Sequence, residues 1–212
     1  MILSSIKQTF IDFIFPPHCI ICGKETKNEN ICENCKGKIK FMEYPLIWHD
    51  DRKYFYAITH YEGVMEEIIK KMKFNGLKSL SKDLSSILSN FIDQENISFD
   101  VVGYVPMTRK ELLDRKFNQT YLIAKEISKL YNKPLIKGLN KLKTTRKQVG
   151  LSKKEREENL KNAFTLEEKI RGSILLVDDV YTTGSTAKEL TKSIYGKTDG
   201  NIIFIAISRR IG

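Results

Sequence analysis

Apolar residues recur along this chain with two periods, and the alternation between those periods predicts its architecture. Ile174 to Val177 is apolar without interruption, the composition of a strand buried on both faces of a sheet. Phe99 to Val105, closed by Pro106, and Ile202 to Ile207 predict two further strands. The aromatic, alternating stretch Tyr54 to Tyr61 predicts a fourth, and Pro134 to Ile136 a short fifth. Helical spacing runs through Gly63 to Phe74, Leu80 to Phe91 and 184–196. Residues 111–130 predict one long helix with Leu112, Leu113, Leu122, Ile123, Ile127 and Leu130 on its apolar side. Ile2, Ile6, Phe10 and Phe13 mark an amphipathic N-terminal helix that Pro16-Pro17 ends. Strands alternating with helices predict an α/β fold on a parallel sheet with right-handed crossovers. The expected division is a small N-terminal lobe over 1–50 and a main domain over 51–212.

The segment ILLVDDVYTTGST, residues 174–186, carries the most chemistry. A buried strand runs into Asp178 and Asp179, then into a turn of Thr182, Thr183, Gly184, Ser185 and Thr186, then into a helix. The carboxyl end of a strand in an open α/β sheet is where ligands bind. Free backbone N–H groups, hydroxyls and the positive end of a helix suit such a turn to phosphate. Two carboxylates beside it would repel a bare phosphate, but they fit a phosphosugar. Its hydroxyls, with a divalent cation, would lie on the acids and its phosphate in the turn. The plainer alternative is a buried strand followed by an ordinary helix cap. No G-x-x-x-x-G-K-[ST] segment occurs, so this is not an ATP P-loop.

All four cysteines lie in one window, as two C-x-x-C pairs: Cys19 with Cys22, and Cys32 with Cys35. That spacing matches a four-thiolate metal site, and four thiolates leave no open coordination position. The metal is expected to be structural zinc, with iron as the other possibility. A lobe of roughly forty residues cannot hold itself by burial alone, whereas structural zinc supplies on the order of 10–16 kcal/mol. Disulfides would require an oxidising compartment, which nothing in the sequence indicates. His18 adjoins Cys19 but reads as a surface residue.

Charge sharpens the picture in one place. Residues 137–161 hold nine basic against three acidic side chains, +6 of the net +10. This is either a solvated loop or a segment facing pyrophosphate or a nucleic-acid backbone. Cations interleave with aromatics at Lys70, Lys71, Lys73 and Phe74, and at Arg115, Lys116 and Phe117. Such clusters bind single strands in some proteins and are solvated helix faces in others. No apolar run reaches the roughly 20 residues of a membrane span, so the expectation is a cytoplasmic protein without membrane insertion.

Together with the cysteine lobe, four motifs define a resemblance: V-P-M-T-R-K (105–110), F-N-Q (117–119), Q-V-G-L-S-K-K-E-R-E-E-N (148–159) and V-D-D-V-Y-T-T-G-S-T (177–186). The chain resembles the ComF family along nearly its whole length. These are competence-associated proteins with a type I phosphoribosyltransferase fold and a zinc-ribbon lobe. The resemblance implies binding of phosphoribosyl pyrophosphate (PRPP) with magnesium, and transfer of phosphoribosyl to an acceptor whose pocket lies in a hood formed by the metal lobe and residues 50–80. It implies that Asp178 and Asp179 are the catalytic acids on the ribose and that Thr182, Thr183, Gly184, Ser185 and Thr186 bind the 5-phosphate. Met107, Thr108, Arg109 and Lys110 would hold pyrophosphate, and a mobile loop from about 140 to 159, including Arg146, Lys147 and Gln148, would close over it. Two positions depart from the usual pattern: Lys116 stands where the family often has glycine, and Thr108 where histidine is frequent. The family's association with DNA uptake leaves two functions open. One is a phosphoribosyltransferase; the other is a non-catalytic PRPP-binding module that contacts single-stranded DNA and other competence proteins.

Overall fold

The structure, a computed structural model, describes residues 17–26, 29–142 and 162–211. The predicted N-terminal helix and most of the basic segment, including Arg146, Lys147 and Gln148, lie outside the described residues. After a one-turn helix α1 (Glu33–Lys36) come β1 (Leu46–Asp50), β2 (Lys53–His60), α2 (Gly63–Asn75), α3 (Leu80–Gln94) and β3 (Val101–Tyr104). There follow α4 (Arg109–Arg115), α5 (Gln119–Leu130), β4 (Leu139–Lys141), β5 (Phe164–Leu166), β6 (Ile174–Tyr181), α6 (Ser185–Ile194) and β7 (Ile202–Arg209). The main sheet has the order β1-β2-β7-β6-β3. Its strands β2, β7, β6 and β3 are mutually parallel, as the pattern predicts. Among the described residues, no helix is long and apolar enough to cross a membrane.

Several expectations are corrected. Residues 111–130 form two helices rather than one. Lys116 takes a left-handed conformation (φ 66°) and Asn118 caps α5, its side-chain oxygen accepting from the Tyr121 N–H. Thr108 and Glu111 form a reciprocal capping box at the start of α4. The left-handed Lys116 and the Asn118 cap decide the break, and hydrophobic periodicity does not register them. Leu112, Leu113 and Leu130 are accordingly exposed. The short strand at 134–136 reduces to a single bridge between Leu135 and Val102. Edge strand β1, antiparallel to β2, went unpredicted because it has no buried face to give it a period. The antiparallel pair β4–β5, whose strands bracket residues 143–161, is too short at three residues each to show a pattern.

The sheet buries both faces, which is why its central strands are apolar throughout. On one face Leu175 and Val177 of β6 pack with Ile123, Ala124 and Ile127 of α5 and with α2 and α3. On the other, Ile174 and Leu176 pack with Ala187, Leu190 and Ile194 of α6. Helix α5, the second helix after β3, and helix α6, which follows β6, therefore cover opposite faces. Adjacent parallel strands whose helices diverge in this way leave a crevice at their carboxyl ends. The acid pair sits in that crevice.

Candidate functional site

The four cysteines converge as their spacing requires. Gly23, at φ 74°, turns the first pair, its N–H donating to Cys19 O at 2.8 Å. The second pair flanks and enters α1, with Cys32 as its N-cap. The four Sγ atoms lie within 4.8 Å of one another, and those of Cys22 and Cys32 are 3.6 Å apart. Tetrahedral zinc–thiolate bonds of about 2.3 Å set the sulfurs roughly 3.8 Å apart, so the group fits zinc. No disulfide joins them. Burial raises the Cys19 thiol, but backbone N–H groups of Cys32, Cys22 and Ile21 outweigh it and bring it down to about 6. Burial and the neighbouring sulfurs push Cys35 up to about 12. A bound cation would hold all four as thiolates. His18 is exposed and outside the cluster.

In the main domain, the geometry of the crevice follows from unequal strand lengths. β3 ends at Tyr104, opposite Val177, while β6 continues to Tyr181 beside β7. From Asp178 onward β6 thus has no strand on its β3 side, and a cleft of about 240 Å³ opens there. Asp178 and Asp179 are therefore the continuation of the strand and not the start of a turn. Residue alternation aims them differently. Asp179 is buried and accepts from Lys73 Nζ at 2.8 Å, Lys73 lying in the last turn of α2. Asp178 faces the other side of the strand and accepts from the Asp179 N–H at 2.8 Å. Burial, and then the Asp179 charge beside it, raise Asp178 to about 7, with Lys73, the Asp179 N–H and Lys141 pulling the other way.

The turn after β6 is built for close approach. Gly184 has φ 76°, and a Cβ there would collide with the Tyr181 hydroxyl. Gly184→Ala is expected to destabilise the protein by about 2 kcal/mol, from left-handed strain together with that clash; denaturant melts check this, and an unchanged midpoint would contradict it. The Thr183 and Ser185 hydroxyls are 2.8 Å apart, and Thr186 in the first turn of α6 lines the cleft with the acids. Thr182 is exposed.

The 105–110 segment contributes unevenly. Met107 lines the cleft. Thr108 is buried and committed to its capping box. Arg109 and Lys110 are exposed on α4 and do not line the cleft. The cations that do are Lys73, Arg115 and Lys141. Lys141 pairs with Glu111 at 2.8 Å. Burial raises the Glu111 carboxyl, but Lys141 and the Thr108 N–H hold it below its ordinary value. Sequence reasoning missed Glu111 as a site residue, included Lys141 only as one cation of the 140–159 segment, and gave Lys73 a different use. Lys73 is held by Asp179, while Lys70 and Lys71 pair with Glu66 and Glu67 one helical turn away. That leaves the 70–74 cluster a helix face laced with ion pairs. In the second cluster Phe117 is buried.

Gln119 also lines the cleft, at the first position of α5. Its neighbours are anchored: Asn118 Nδ2 and Thr120 Oγ1 both donate to Val105 O, at 3.0 and 2.8 Å. A second, more apolar hollow of about 360 Å³, lined by Tyr104, Phe117 and Tyr121, shares Pro106 and Met107 with this cleft.

Comparison with known proteins gives related results at both ends. A family described as "Double zinc ribbon domain" matches residues 10–46; the chain's four cysteines suffice for one four-thiolate site. Competence protein F of Haemophilus influenzae is 29% identical over 187 residues, covering 83% of this chain and 77% of that protein. Competence protein ComFC of Bacillus subtilis is 26% identical over 176 residues, 79% of this chain and 67% of that protein. DNA utilization protein YhgH of Escherichia coli is 25% identical over 190 residues, 82% of each.

Proposed function

Because the chain belongs to the ComF family, we propose that its cleft binds PRPP with magnesium and that the protein serves DNA uptake in transformation. One observation carries the ligand reading: an acid pair, a glycine-turned helix start and three cations line or adjoin a single crevice between β3 and β6. The carboxylates of Asp178 and Asp179 accept from ribose hydroxyls, and the N–H groups and hydroxyls at 183–186 take the 5-phosphate. The carboxylates of Asp178 and Asp179 would hold magnesium, an oxygen-seeking cation, which would supply positive charge against the pyrophosphate. Arg115 and Lys141 face the leaving group in place of Arg109 and Lys110. The names of the relatives, two competence proteins and one DNA utilization protein, support the role in DNA uptake.

Transfer in this cleft would join an acceptor nitrogen to the anomeric carbon. The carbon–oxygen bond to pyrophosphate breaks with its electron pair, and the nitrogen loses a proton. Negative charge on the acid pair, complete once Asp178 is ionised, would offset the positive charge that develops on the sugar. Titration calorimetry with PRPP and magnesium tests the binding. Each hydrogen bond to a charged group contributes about 1.5–3 kcal/mol, so Asp178→Ala with Asp179→Ala is expected to weaken binding at least about tenfold. Wild-type affinity in the double variant would reject the site.

A further inference from the structure

Gln119 is 1% exposed, and neither its Nε2 nor its Oε1 has a hydrogen-bond partner. No other buried side chain among the described residues is left in this condition. A carboxamide sealed from water without partners costs free energy in the unliganded protein, so its retention needs a reason. Loose local packing is not that reason, because Asn118 and Thr120 on either side are bonded to Val105 O and fix the start of α5. The side chain lines the cleft that contains Asp178 and Asp179.

The chemistry of the missing partner follows from the groups present. A carboxamide offers both a donor and an acceptor. Phosphate oxygens only accept, so they would satisfy Nε2 and oppose Oε1. In their ionised form the two carboxylates also only accept, and Asp179 is already engaged by Lys73. A hydroxyl both accepts and donates. It can take a hydrogen bond from Nε2 and pass its own proton toward a carboxylate, and an adjacent hydroxyl can donate to Oε1. A carboxamide that lines one cleft with two carboxylates is thus matched by a pair of neighbouring hydroxyls.

We propose that Gln119 is a specificity-determining residue of this cleft, selecting a sugar phosphate with vicinal hydroxyls over its deoxy counterpart. The proposal rests on the phosphosugar reading given above and extends it to the choice of sugar. A site built to hydrogen-bond a hydroxyl rejects the analogue that lacks it, because its own polar groups are then left unpaired.

The test measures binding of ribose 5-phosphate and 2-deoxyribose 5-phosphate to the full chain, with thermal melts of the unliganded protein alongside. Wild type is expected to prefer ribose 5-phosphate by at least about tenfold. Gln119→Leu should lose most of that preference, weakening ribose 5-phosphate while sparing the deoxy sugar. Its melting temperature should be equal or higher, because an orphaned amide gives way to an apolar group. Gln119→Met, closer in length and flexibility, serves if the leucine variant folds poorly. An undiminished preference in a folded variant would overturn the role of Gln119 and leave the phosphosugar site standing. Equal loss of both sugars together with a lower melting temperature would mark Gln119 as structural and overturn it too. If wild type binds neither sugar, the cleft is not a phosphosugar site, and both readings fall.

Discussion

Removing the metal from the four-cysteine lobe is expected to unfold that lobe while the sheet persists. Among the described residues its only helix is the four-residue α1, and its buried apolar side chains are Cys19, Ile31, Cys35 and Ile39. So small a core cannot offset the entropy of ordering the lobe. Zinc bound by four thiolates supplies on the order of 10–16 kcal/mol in isolated zinc modules, far more than that core. The lobe is also tied to the main domain. Its buried residues share a core with Leu84 and Leu88 of α3, and Asn30 bonds to Asp83 at 2.6 Å and to Ser79 at 3.0 Å. Chelation should therefore open the lobe to protease first and then lower the melting temperature of the remainder by exposing that side of α3. Purified protein should contain close to one zinc per chain, and Cys35→Ser should reproduce the effect of the chelator. Substoichiometric zinc together with an unchanged cleavage pattern after chelation would contradict the expectation.

The second large effect concerns Asp178 and runs opposite to most acid substitutions. Burial and the neighbouring Asp179 raise the Asp178 carboxyl from its ordinary 3.8 to about 7. Below about pH 4 it is protonated in both folded and unfolded chains and contributes nothing to pH dependence. Between 4 and 7 the unfolded chain ionises first, so folding stability falls as pH rises. Well above 7 the full penalty is present, on the order of a few kcal/mol. Asp178→Asn keeps an acceptor for the Asp179 N–H and removes the charge. It should raise the stability of the unliganded protein by that amount at pH 8 and leave it nearly unchanged at pH 4, while weakening PRPP binding. Chemical denaturation at the two pH values decides it. A gain that does not vary with pH, or a loss at pH 8, would show that Asp178 is not held ionised against its surroundings. An acid kept where it destabilises the empty fold is what a site built to meet ligand hydroxyls requires.

What could be read without the structure was local in sequence. The apolar runs at 174–177 and 202–207, the two C-x-x-C pairs, and the succession of strand, acid pair, turn and helix each place their residues through one short stretch of chain. Backbone period and covalent spacing are enough for that. The ends of these elements were less legible. β6 runs on to Tyr181 because β7 continues to pair with it, and 111–130 divides because Asn118 caps a new helix.

Which side chains meet in the cleft was a matter for tertiary structure alone. Lys73 reaches Asp179 across 106 residues, and Lys141 reaches Glu111 across 30. A lysine on a helix looks the same in sequence whether it meets water or a buried acid. Gln119 belonged to a motif in the sequence, but only the packed fold shows that its amide is sealed and unpaired. The crevice itself arises because α5 and α6 cover opposite faces of the sheet and β3 stops four residues before β6. Chain order determined the elements and the acid pair; long-range packing, which sets burial and therefore charge, determined the partners those acids have.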